Sequence, residues 1–208
     1  MKIRRATLLA GLAWGVAVAV SGVALGQPPI FGADLQGRPV RRLLGSRDQA
    51  AVLFFLATDC PISNRYVPEI QRLRAEFAGK PVALWLVYPN ATETAEGVVR
   101  HQADFGLRGA TLVRPSAALL ALARPTVTPE AVLVLPDSGR AGATVVYQVV
   151  YGGRIDNRYV DIGKERPRAT RHDLEDAIIA VLAHRPVAPP GGPPVGCGVV
   201  SESALGMR

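Results

Sequence analysis

The chain has two cysteines, Cys60 and Cys197, and they sit in very different company. Cys60 follows the apolar run Ala51-Val52-Leu53-Phe54-Phe55-Leu56-Ala57 and precedes Pro61, from which Ile62, Tyr66, Ile70, Leu73 and Phe77 recur at helical spacing. A cysteine at a strand-to-helix junction faces the N–H groups of the first helical turn, whose partial positive charge favours thiolate over thiol. The chemistry open to it is nucleophilic attack on an oxidised substrate. Ser63 keeps the spacing of a second cysteine but cannot resolve a mixed disulfide. Its hydroxyl either lies on the helix surface or donates to a Cys60 thiolate one turn back. Asp59 opposes the thiolate by its charge or serves as the helix N-cap.

Cys197 lies beyond the Pro/Gly-rich segment 185–194, which reads as an extended or flexible tail. From Arg185 the chain reaches roughly 37 Å at polyproline II rise, so distance does not keep Cys197 from Cys60. Three roles stay open for the pair. It staples the tail to the domain, or Cys197 condenses with a Cys60 sulfenic acid, or it releases a mixed disulfide. A close pair with a buried Cys60 sulfur favours the staple, whereas an exposed Cys60 with a mobile tail favours catalysis. His101, His172 and His184 form no short ligand motif with either cysteine. A Cu(I)-binding module built from both thiolates and one histidine is the alternative reading. No Gly-rich phosphate loop, carboxylate dyad or Ser-His-Asp pattern stands out.

Pro68 interrupts the helical pattern eight residues after Cys60, and Thr128-Pro129 precedes the apolar run Ala131-Val132-Leu133-Val134-Leu135. A helix-starting cysteine, a proline inside its helix and a later Thr-Pro before a strand resemble the thioredoxin superfamily. That resemblance implies an α/β, thioredoxin-like fold with a central mixed β-sheet flanked by helices, and a cis bond at Thr128-Pro129. The segments 58–66 and 151–164 are similar to an exported, peroxiredoxin-like group of redoxins, the alkyl hydroperoxide reductase and thiol-specific antioxidant family. The likeness runs from about Phe31 to Cys197 and implies a thiol-dependent oxidoreductase. Cys60 would be its nucleophile and Cys197 its resolving partner. Thr58, Ser63, Thr128 and Pro129 would shape or support the substrate groove, and no metal or other cofactor would be needed. A peroxide or a protein disulfide is the implied substrate, with an unidentified thiol reductant. Two positions depart from the pattern. Ala57 replaces the hydroxyl residue that peroxiredoxins carry three places before their cysteine, leaving Thr58 as the nearest, and Ser63 replaces the second cysteine of disulfide-exchange thioredoxins.

Elements must place these residues. Strands are expected over 51–57, 82–88 and 111–113, and helices over 61–78, 92–105 (capped by Asn90 or Thr92) and 116–123. The Pro129 strand and a strand over 143–150 should form a hairpin through a turn at 136–140. Gly152 and Gly153 read as turn residues. Thr170-Arg171-His172-Asp173 reads as the start of a last helix ending near His184. Continuous apolarity in the first two strands fits a sheet covered on both faces.

Lys2, Arg4 and Arg5 precede an apolar stretch from Ala6 to Leu25 and small residues at Ala24 and Gly26. This predicts a signal peptide over 1–26, a redoxin domain over 27–184 and a tail over 185–208, in a periplasmic or secreted protein. An uncleaved membrane anchor is the alternative, since a span needs about 20 apolar residues. The formal net charge of +7 loses three positive charges with the leader. The remaining arginines are scattered without interleaved aromatics, which argues against a nucleic-acid partner.

Overall fold

The alternation of side chains along one strand organises this chain. In the computed structural model, which describes residues 29–137 and 146–200, Ala50, Val52 and Phe54 join one hydrophobic cluster while Ala51, Leu53 and Phe55 join a second. Successive residues of a strand point to opposite faces, so apolar residues at every position require cover on both. The elements in chain order are β1 (Gly32–Ala33), β2 (Pro39–Val40), β3 (Ala50–Phe55), α1 (Pro61–Glu76), β4 (Val82–Tyr88), α2 (Ala95–Asp104), β5 (Ala110–Val113), α3 (Ala117–Ala123), β6 (Val127–Thr128), β7 (Glu130–Pro136), β8 (Tyr147–Gly153), β9 (Tyr159–Asp161), β10 (Lys164–Glu165), α4 (Asp173–Leu182) and β11 (Cys197–Gly198).

Seven strands form the main sheet in the order β2-β1-β5-β4-β3-β7-β8. β3, β4 and β5 run parallel, while β7 lies antiparallel to β3 and β8 antiparallel to β7. One face is covered by Ile62, Tyr66, Ile70 and Leu73 of α1, Val98 of α2, and Leu174 and Ile178 of α4. The other is covered by Leu119 and Ala123 of α3 together with Phe31, Leu43 and Tyr147. The fold is thioredoxin-like: a central mixed sheet between helices, with the Thr128-Pro129 bond in the cis form.

Several boundaries differ from the sequence reading for local physical reasons. The expected strand 51–57 runs Ala50–Phe55, and α1 stops at Glu76 rather than 78. The expected helix 92–105 is shorter, because the Thr94 hydroxyl accepts from the Gly97 N–H at 3.0 Å and caps it there. The last helix begins at Asp173, not at the expected Thr170 cap. Asn157 draws Thr170 away, accepting its N–H at 2.8 Å and donating to its hydroxyl at 2.9 Å. Gly152 and Gly153 are strand rather than turn residues, paired with Val132 and Ala131. Among the described residues the second hairpin strand is Tyr147–Gly153, running past the expected end at 150, and 143–145 of the expected strand lie outside them. Most of the expected turn at 136–140 and the whole leader 1–26 lie outside the described residues. Among the described residues no helix is long and apolar enough to cross a membrane.

Of the two readings of the tail, extended or flexible, its described part, 185–200, takes the extended one and is held to the domain at several points. The Gly191 N–H donates to Asp173 at 2.8 Å, and Val187 and Val195 pack on the core. β11 then pairs antiparallel with β6, setting Cys197 opposite Thr128 and Gly198 opposite Val127. Beyond it the Val200 N–H donates to Asn90 Oδ1 at 2.9 Å, and the Ala91 N–H donates to the Val200 carbonyl at 3.0 Å. An extended segment must satisfy its backbone groups, and the free edge of β6 supplies partners. β6 is itself fixed by Glu130, which accepts from the backbone N–H groups of Thr126 and Val127 at 2.8 and 3.3 Å.

Gly196 makes this pairing sterically feasible. A Cβ there would stand 2.1 Å from the Thr128 carbonyl oxygen, and a backbone oxygen cannot swing aside as a flexible side chain can. We therefore expect Gly196→Ala to detach β11, at a cost of about 1–3 kcal/mol typical of overpacking. Hydrogen exchange should show faster exchange at the Val199 and Val200 amides while the main sheet stays protected; unchanged exchange there would contradict the account.

Candidate active site

Cys60 is the N-cap of α1, so the sulfur itself does what Asp59 was expected to do. Its Sγ accepts from the Ser63 N–H at 3.5 Å and its thiol donates to the Thr128 carbonyl at 3.0 Å. The residue is fully buried, at 0% exposure. Ser63 is buried as well, and its hydroxyl accepts from the Ala57 N–H at 3.4 Å. That leaves the Ser63 proton free to point at Cys60. Burial pushes the Cys60 thiol up, but hydrogen bonds from the Cys197 thiol and from the Ser63 N–H and hydroxyl outweigh it and hold Cys60 below its ordinary value. Only the protonated thiol can donate to Thr128, so ionisation exchanges that one bond for the donors from Cys197 and Ser63.

Cys197 is pushed the other way, up to about 12, by burial first, then by its hydrogen bond to Cys60 and the charges of Cys60 and Asp59. The two sulfurs thus form an unequal pair. Cys60 takes the negative charge, and Cys197 keeps its proton and donates it. Both are free thiols in this structure. Cys197 is also the more accessible, lining an open groove of about 360 Å³ with Pro61, Ile62, Tyr159 and Ile162. The Arg65–Glu165 ion pair, 2.7 Å long, stands at its rim. Cys60 does not line it.

Of the residues singled out in the sequence, Cys60, Ser63, Thr128 and Cys197 come together, with Pro129 directly behind Thr128. Thr58 is engaged elsewhere, giving its N–H at 2.9 Å and its hydroxyl at 3.0 Å to the buried Glu93. Burial raises the Glu93 carboxyl above its ordinary value, with Asp59 adding to the shift, although both Thr58 donors pull it down. His101 is not isolated either: its ring nitrogens meet Tyr88 Oη at 3.0 Å and Asn64 Oδ1 at 2.8 Å. Burial lowers its pKa, which suits a neutral ring bracing the first turn of α1. Among the described residues the group with metal-ligand spacing is Glu69, Asp156 and His172, which includes neither cysteine.

Sequence reasoning missed Glu93 and Gly196, along with Tyr159 and Ile162 of the groove, and read Asn90 only as a helix cap. None carries a local signal, because each acts on a partner far away in the chain. Glu93 meets Thr58, and Asn90 meets Val200.

No protein-family model matches the chain, and no curated protein matches it. Solved structures do. An uncharacterized conserved protein of Geobacillus kaustophilus superposes with a TM-score of 0.64 at 20% identity, over 85% of this chain and 90% of that one. A hypothetical protein of Sinorhizobium meliloti 1021 superposes with a TM-score of 0.63 at 21% identity, over 82% and 88%. At these identities the likeness is one of fold alone. A secreted disulfide oxidoreductase of Mycobacterium tuberculosis superposes less closely, with a TM-score of 0.43 at 18% identity over 74% and 94%, and adds nothing to that assignment.

Thiolate absorbance of the reduced protein should show one thiol ionising below 9.0 and the second only near 12. Cys197→Ala should move Cys60 upward by removing its largest hydrogen-bond donor. The signs for stability follow by linkage. The lowered Cys60 contributes stability that is present above 9.0 and lost as pH falls through its folded pKa, whereas Cys197 destabilises as pH rises from 9.0 toward 12. Coincident ionisation of both thiols near 9.0 would contradict the pairing.

Proposed function

We propose that this protein is an exported thiol-disulfide oxidoreductase that cycles a Cys60–Cys197 pair between dithiol and disulfide. The observation that carries the reading is the placement of Cys197 opposite Thr128, whose carbonyl accepts from the helix-capping Cys60, with the pKa values of the two thiols shifted in opposite directions. Stabilising one thiolate stabilises the reduced form, and a disulfide whose reduced form is stabilised is an oxidant. In that direction two substrate thiols become a disulfide while Cys60 and Cys197 become thiols. Substrates are then protein or peptide thiols. Export rests on the leader read in 1–26, and the tail 185–208 belongs to the site because it brings Cys197.

Direct reduction of a hydroperoxide is less well supported. Cys60 has no exposed surface, and the Thr58 hydroxyl, nearest in sequence, is bound to Glu93. A copper-binding module would need a third ligand, and among the described residues no histidine joins the two cysteines in a ligand cluster.

The second reading is a structural bridge. Full burial of Cys60 and the anchored tail are what a staple requires. The redox potential separates the two. Equilibration with thiol buffers should give a potential less negative than about −300 mV, and oxidised protein should convert a reduced dithiol peptide to its disulfide, with loss of turnover in Cys60→Ser and Cys197→Ser. A potential below about −300 mV, with Cys197→Ala losing roughly 2–5 kcal/mol of stability under oxidising conditions, establishes the staple instead.

A further inference from the structure

The oxidoreductase reading leaves open which sulfur meets the partner, and the two are not equivalent. Exchange at a disulfide proceeds by a thiolate attacking one sulfur in line with the bond that breaks. The outcome therefore depends on which sulfur is reachable and which leaves more readily. Attack on Cys60 has to come from the side away from Cys197. The Cys60 sulfur is enclosed, in contact with the first turn of α1 and the Thr128 carbonyl and at 0% exposure, so no such approach is open. Cys197 instead lines the groove, together with Pro61, Ile62, Tyr159 and Ile162. Ile162 is 71% exposed and Val160, on the same hairpin, 56%. A large apolar side chain, Ile162, left in water on the groove that Cys197 lines fits a ligand with an apolar group.

We propose that the partner thiol enters at Cys197 through this groove, with Cys60 as the leaving thiolate, and that the partner carries an apolar group beside its sulfur. This deepens the oxidoreductase reading and rests on it. It also reverses the roles read from the sequence, where Cys60 met the substrate and Cys197 resolved. In the first step a partner thiolate RS⁻ bonds to the Cys197 sulfur as the Cys197–Cys60 bond breaks, and Cys60 leaves with the electron pair. The products are R–S–S–Cys197 and the Cys60 thiolate. The helix start receives that charge, with Ser63 donating. The helix start and the Ser63 N–H, which stay in place once Cys197 is bound to the partner, stabilise the departing thiolate and so favour that departure. In the second step another RS⁻ attacks the partner sulfur of the mixed disulfide, RSSR departs, and Cys197 takes up a proton. Two thiols are oxidised and the pair is reduced by two electrons.

The test uses the oxidised full-length protein and two small thiols, benzyl mercaptan and 2-mercaptoethanesulfonate. An acid quench in the first turnover, blocking of free thiols with N-ethylmaleimide and peptide mass analysis locate the adduct. The expected result is benzyl mercaptan on Cys197 and maleimide on Cys60. The reverse overturns the inference while the oxidoreductase reading stands, whereas failure to form any Cys60–Cys197 disulfide overturns both. Where ring closure outruns the quench, the rate of reduction decides. At matched thiolate concentration benzyl mercaptan should react about tenfold faster than the sulfonate, the worth of one buried apolar contact, and Ile162→Glu should erase most of that preference. Equal rates in the native protein, or a preference indifferent to Ile162→Glu, remove the groove from the account.

Discussion

The Thr128 carbonyl is the point on which the site depends. It accepts from the Cys60 thiol at 3.0 Å, its residue stands opposite Cys197 in the β6–β11 pair, and Gly196 passes so close that no side chain fits between them. Three segments remote in sequence, the start of α1, the Thr128-Pro129 edge and the tail, are thereby held within a few ångströms. Both cysteines are brought to Thr128 as a consequence. The supports around this point are buried polar groups, each with a partner: Ser63 to Ala57, Glu93 to Thr58, and Glu130 to Thr126 and Val127. Burial makes such contacts costly to leave unmade, which is why they specify position.

From this geometry follows a division of labour between the sulfurs. The helix start and its donors stabilise negative charge at Cys60 but also enclose it. Cys197 is poorly ionised yet reachable. In thiol-disulfide exchange a good leaving group and an accessible electrophile are separate requirements, and here they fall on separate residues. In the exchange proposed above, the exposed Ile162 and the Arg65–Glu165 pair are the groove residues that an incoming thiol would meet.

Much of the scaffold was legible because it rests on local periodicity. The 82–88 strand runs Val82–Tyr88 as read, and Ile62, Tyr66, Ile70, Leu73 and Phe77 all lie buried on one face of the α1 segment. Boundaries moved where a distant side chain competed. Thr170 had the look of a helix cap, but Asn157 holds it, and Asn90 was read as a cap while its carbonyl oxygen holds Val200. The tail was read as extended or flexible because its Pro/Gly composition has no local reason to fold. It is held by the edge of β6, a partner that composition does not reveal.

By itself the sequence determined that a cysteine opens an amphipathic helix after a buried strand and that a serine follows three residues later. These are consequences of residue type and spacing over one or two turns, whereas the thioredoxin-like mixed sheet was what the resemblance implied. Only the tertiary structure decided that Cys60 is enclosed, that Cys197 lies against it and faces the groove, and that their pKa values move apart. Burial, desolvation and hydrogen bonding across the chain depend on what packs against a group in space, and at Thr128 those neighbours come from positions as far apart as 60 and 197.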